Sequence, residues 1–174
     1  MKAVVDVLDR IAGALALVAA WCAAAIMVFI TGHILTEIVL RSFFGTSTQV
    51  LEEFVGYGLG AMVFLALGHA LRQGKLVRVD IVLGKLPSRA RRALEVVLCL
   101  VTLAVMAFVM KYFWISVSRN YQRGTISMTT AATPMWIPEA VILAGMGIFW
   151  LTLAVYALRL LVGGALIEES GINE

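Results

Sequence analysis

Cysteine and histidine are scarce in this chain, with two of each in 174 residues. Cys22 and Cys99 stand alone, with no C-x-x-C pair, which excludes a dithiol relay and a disulfide framework and leaves both as small apolar packing residues. His33 and His69 fall near opposite ends of successive apolar runs. They lie about 25 Å apart at 1.5 Å per residue, too far to share one haem iron. There is no glycine-rich phosphate loop, no metal-ligand cluster, and no serine or cysteine beside a base, so no enzyme class and no cofactor is expected. Residues 11–35 contain no acid, which excludes a small exporter that couples protons through a carboxylate in its first span.

What the chain has instead is long apolar runs, at residues 11–35, 50–71, 94–118 and 136–162. Each has at least about 20 residues, enough helix to cross a hydrocarbon core of about 30 Å. With 61% hydrophobic residues and a mean hydropathy of +0.96, the sequence predicts an all-α integral membrane fold. It forms one domain over residues 1–174, with four transmembrane helices and short interfacial amphipathic helices.

Positive charge is divided unevenly between the connections. Lys2 and Arg10 precede the first run; Arg72, Lys75, Arg78, Lys85, Arg89, Arg91 and Arg92 lie between the second and third; Arg159 ends the fourth. Arg41, Arg119 and Arg123 fall on the other side, and Lys111 lies inside the third run. The positive-inside rule then places both termini and the middle loop in the cytoplasm. The net charge of +3 is concentrated beside the bilayer, so membrane lipid headgroups rather than nucleic acid are the expected partner. The basic N-terminus and following apolar run mimic a secretory signal, but the run continues to Leu35 and Asp6 and Asp9 dilute the charge; an uncleaved first span is expected. Trp21 is too bulky before Cys22 for a lipoprotein cleavage site.

Two connections carry amphipathic segments. In residues 36–45, Ile38, Val39 and Phe43 share one helical face with the preceding Leu35 while Glu37, Arg41 and Ser42 lie elsewhere, a pattern suited to the headgroup boundary, and Gly45 closes it. In the middle loop, Asp80 is placed to cap a short helix that Pro87 ends. Within the spans, Ala12, Ala16, Ala20 and Ala24 make a smooth ridge, and Gly56 with Gly60 makes a G-x-x-x-G groove for close helix approach.

Glu52 and Glu53 open the second span and are its polar anomaly, because a carboxylate near the bilayer is costly. They suit the positive N-terminal end of that helix, an ion pair with Lys111, Arg41 or Arg119, or coupling to an ion. Pairing is the reading favoured by the long lysine stem at position 111. The outward loops otherwise carry Glu37, Arg119, Arg123 and Glu139, a small face of mixed sign.

The order LRSFFGTSTQVLEEF, FLALGHALRQGKLVRVDIVLGKLP and TISMTTAATPMW resembles the small membrane subunit of tripartite ATP-independent periplasmic transporters, the DctQ-like family. The most specific elements are Arg41 with Phe43 and Phe44, the Glu52 and Glu53 pair, residues 74–80 including Asp80, and Pro134, Met135 and Trp136. Val50 and Leu76 depart from the tryptophan and histidine often found there, which bears on anchoring and loop packing. The resemblance implies a small scaffold subunit beside a large DctM-like membrane subunit. That large subunit would carry organic acid anions by an elevator motion driven by sodium, after their capture by a periplasmic substrate-binding protein. It further implies that the ion and substrate sites belong to the large subunit and that this chain's outer face helps dock the binding protein. A stand-alone transporter would need a central polar site, and a redox anchor would need paired ligands.

Overall fold

The computed structural model describes residues 2–74 and 88–161, which form four α-helices and no β-strand. These are α1 (Lys2–Phe44), α2 (Leu51–Arg72), α3 (Ser88–Arg123) and α4 (Trp136–Leu161). All four are long and apolar enough to cross a membrane. Asp80, the short helix expected after it, and the end of the fourth run at 162 lie outside the described residues.

The segment expected to lie along the membrane surface at residues 36–45 is not a separate helix. It continues α1 without a break, giving 43 residues and a length of about 64 Å, roughly twice a hydrocarbon core. The chain has local reasons to stay helical there. Thr31 and Thr36 donate their hydroxyls to the carbonyls of Met27 and Gly32, which satisfies them inside the helix. Glu37 then pairs with Arg41 one turn on, the favourable order along a helix. Gly45, with φ of 61°, ends the helix in the left-handed region, and Thr46 N–H reaches back to Leu40 O at 3.3 Å.

The α1 face that packs is also turned from the expected alanine ridge. Ala12, Ala16, Ala19, Ala23 and Ile30 are buried, while Ala24 is exposed. A strict four-residue step drifts about 40° per repeat on a 3.6-residue helix, whereas alternating steps of four and three stay on one face. Continued in both directions, that alternation runs from Asp9 through Ile26 and His33 to Glu37. An acid therefore closes each end of the seam.

Helix α4 is the hub, packing against α1, α2 and α3, whereas α3 packs chiefly on α4 alone. One apolar cluster joins Leu71, Cys99, Phe149, Leu153, Tyr156, Ala157 and Leu160. A second joins Ala19 and Ala23 of α1 to Ala61 and Leu65 of α2, with Ile142 and Ile148 of α4 against them. Two polar groups of α4 find acceptors within the spans: Thr152 donates to Ile148 O, and the Trp150 indole N–H to Leu103 O across the α3 and α4 contact.

The expected G-x-x-x-G groove is only half used. A Cβ on Gly60 would meet the Ile142 side chain at 3.0 Å, but one on Gly56 would meet nothing within 4 Å. The closest backbone approach is made instead by Gly145 of α4. A Cβ there would lie 2.8 Å from both the Leu65 nitrogen and the Phe64 carbonyl carbon of α2.

Candidate functional site: charged knots at two ends and a groove under a hairpin

At one end of the bundle, Asp9 of α1 holds two arginines from different helices. Arg72 of α2 meets its carboxylate at 2.8 and 3.2 Å and also donates to the Asp9 carbonyl, and Arg159 of α4 meets it at 3.1 Å. The Arg72 guanidinium crosses α1 over Gly13, where a Cβ would lie 2.9 Å from it. Three helices are thereby fixed at one point, with one positive charge in excess. Nearby, the Glu95 carboxylate of α3 is 5% exposed and accepts a hydrogen bond from Tyr156 of α4 at 3.0 Å.

The opposite end is tied by Glu37, whose side chain is 2% exposed. Its carboxylate accepts from Arg41 Nε at 2.7 Å, from the Ser47 hydroxyl, and from the Thr48 backbone N–H and hydroxyl at 3.0 and 2.6 Å. This one residue therefore secures the last turn of α1, the short connection after it, and the entry into α2. The sequence places Glu37 on a docking face; the structure corrects this, because its place on the packed seam turns the carboxylate inward onto its own chain. Arg41 remains exposed above it, and Phe43 and Phe44 project outward at the helix end.

Residues 125–135 form a hairpin-like loop rather than a plain connection. Ile126 and Pro134 bridge, Ser127 N–H donates to Thr133 O at 2.9 Å, and Met135 N–H donates to Thr125 O at 3.0 Å. The loop leans on the start of α2: the Thr129 hydroxyl donates to Glu53, and the Tyr57 hydroxyl to the Met135 sulfur at 3.1 Å. Under it lies an open groove of about 700 Å³, lined by Glu52, Gly56, Tyr57 and Ile126 among others, with Met128 fully exposed at the tip.

These contacts also correct the expected ion pair. Glu53 takes hydroxyl partners from the hairpin, and among the described residues no ion pair joins Glu52 or Glu53 to Lys111, Arg41 or Arg119. The hairpin reaches Glu53 first, Arg41 is held by Glu37, and Lys111 lies exposed on α3. Glu139 is half-buried and accepts from Ser116 at 3.2 Å and from Asn120 at 2.9 Å, so it staples α4 to α3. Trp136 packs edge-on against Tyr121, with ring centroids 5.4 Å apart. Arg119 and Arg123 stay exposed. His33 stacks on Phe29 and meets Phe54 edge-on, while His69 lies 2.5 Å from the Gln73 side chain. Phe54 and His69 are about 22 Å apart along α2.

Asp9 with its two arginines, the Glu95 and Tyr156 contact, and the hairpin hydroxyls all escape the sequence reading. The alternating stripe through Ala12 and Ala16 carried a signal for Asp9 and Glu37, and Glu95 is conspicuous inside an apolar run. Nothing local in the sequence joins Thr129 to Glu53.

A family model described as the DctQ component of tripartite ATP-independent periplasmic transporters matches residues 30–163. The match takes in the Glu37 knot, the groove, α2, α3 and α4, and leaves Asp9 outside it. Neither a curated protein nor a solved structure matches this chain.

Proposed function

The chain belongs to the DctQ component family of tripartite ATP-independent periplasmic transporters, and from that premise we propose that it is the fixed scaffold subunit of a sodium-driven importer of organic acid anions. Its partners in this reading are a large DctM-like membrane subunit, which carries substrate and sodium, and a periplasmic substrate-binding protein. The family is a transporter component and not an enzyme family. The observation that carries the proposal is the match over residues 30–163.

The architecture supports a static role. Both ends of the helix seam are fastened by carboxylates that reach several elements, and sliding the bundle along its axis would carry one of these charged ends into hydrocarbon, which is costly. With the orientation given by the positive-inside rule, the Asp9 end with both termini is cytoplasmic in the inner membrane, and the hairpin groove faces the periplasm.

Two results test the proposal. Liposomes holding this chain alone should take up no organic acid under a sodium gradient, whereas adding the large subunit and the binding protein should restore uptake. Sodium-dependent uptake by the chain alone would overturn it. Docking is tested separately through Arg119 and Arg123, which stay exposed at the end of α3. Exposed charges act more on encounter rate and salt dependence than on affinity. Arg119→Glu with Arg123→Glu should therefore slow uptake at limiting binding protein, and excess binding protein should partly restore it. Unchanged uptake across that titration would assign docking to the large subunit.

A further inference from the structure

Lys111 is the one described charge that fits neither fastened end. Its neighbour Met110 reaches Gly147, near the middle of the 26-residue α4, with the sulfur methyl 3.8 Å from where a Cβ would stand. The nearer helix end, at Arg123, is about 18 Å away along the axis. Side chains on a helix tilt toward its N-terminus, and for Lys111 that direction leads away from the nearer end. The Cα–Cβ bond of Lys111 therefore starts against the shorter route by which the stem would snorkel to water. Lys111 is exposed, and among the described residues it has no hydrogen bond or ion pair.

The face around it is uncovered in the same way. Helix α3 packs chiefly on α4, through Cys99, Leu103 and Met106, while Val101, Val105, Phe108 and Tyr112 are exposed. The free face of α1 makes the contrast. Val18, Trp21, Val28 and Leu35 are exposed there, and residues 11–36 hold no charged side chain. A face without charge suits lipid, whereas a lysine at mid-depth needs an anion to meet it.

We propose that the α3 face carrying Lys111 is the surface on which the large membrane subunit seats, through a carboxylate of that subunit that pairs with Lys111 within the hydrocarbon layer. This rests on the scaffold reading above and adds to it the face and the chemistry of the contact. The free face of α1 is then left to lipid.

The test uses the co-expressed complex purified through a tag on this chain. A photoreactive benzoylphenylalanine at Phe108 should form an adduct with the large subunit, and one at Val18 should not. Lys111→Leu and Lys111→Glu should each lower the large subunit recovered by about tenfold or more, since each strands the partner's acid. Lys111→Arg should retain it. An adduct from Val18 only, an adduct of two copies of this chain at Phe108, no protein adduct at Phe108 in an intact complex, or full recovery with Lys111→Leu would each overturn the proposal while leaving the scaffold reading in place. Failure of the unmodified chain to recover any large subunit would overturn both. The photoreactive variants keep Lys111, so their outcome does not depend on whether the Lys111 variants fold.

Discussion

Gly145→Leu should prevent α4 from closing on α2, and Gly145→Ala should lower the protein's stability by about 1–3 kcal/mol, the range for overpacking a well-filled core. A Cβ at position 145 would stand 2.8 Å from backbone atoms of both Phe64 and Leu65. Backbone cannot rotate aside as a side chain can, so the helices themselves must separate, and α4 is the helix against which the other three pack. The matched control is Gly56→Ala, whose Cβ would meet nothing within 4 Å. It should leave stability unchanged, or raise it slightly through the better helix propensity of alanine. Thermal unfolding of the two variants in detergent decides the point. Equal effects would mean that small residues in these spans reflect composition and not contact.

The same pair of glycines marks where the sequence stops being informative. The four helices are legible because crossing a bilayer demands long apolar runs, and the end of α1 is legible because Gly45 supplies the left-handed residue that a helix end favours. Which face of each helix packs is a different matter. Water does not drive helices together in lipid, so the hydrophobic pattern that orients a soluble helix is missing, and a small-residue motif alone cannot say whether it meets a neighbour. Gly56 and Gly60 form the recognisable motif, yet Gly145, outside it, makes the closest approach to another helix's backbone.

The charged residues divide along a similar line. Arg119 and Arg123 are exposed as expected because they follow the end of the apolar run. Glu53 was open to several partners, and its actual partner, Thr129, is 76 positions away in a loop whose fold depends on its own backbone bonds. Lys111 looked able to reach the same carboxylates, but α3 is separated from α2 by the α4 hub and turns the lysine outward. Pairings of this kind are set by which helices become neighbours, and only the assembled bundle decides that.

Glu37→Ala should loosen the hairpin end of α1 and the connection to α2 together, seen as trypsin cleavage after Arg41 accelerated by about tenfold or more, because hydrogen bonds to a charged group are among the stronger ones. Arg41 is already 63% exposed, so what protects its peptide bond is helical geometry rather than burial, and cleavage reports how often the segment opens. Removing the carboxylate takes away the Arg41 pair and leaves the Thr48 N–H and the Ser47 and Thr48 hydroxyls without their acceptor at once. Glu37→Gln keeps the side-chain volume and one carbonyl oxygen, so its cleavage rate should fall between those of the alanine variant and the native chain. The two ends of the seam should also respond independently, since Asp9 and Glu37 are about 42 Å apart along α1. Trypsin cleavage after Arg10, beside the other knot, should stay at its native rate in Glu37→Ala, while cleavage after Arg41 rises. A general rise at both arginines would mean that Glu37 holds the whole bundle rather than fastening its own end.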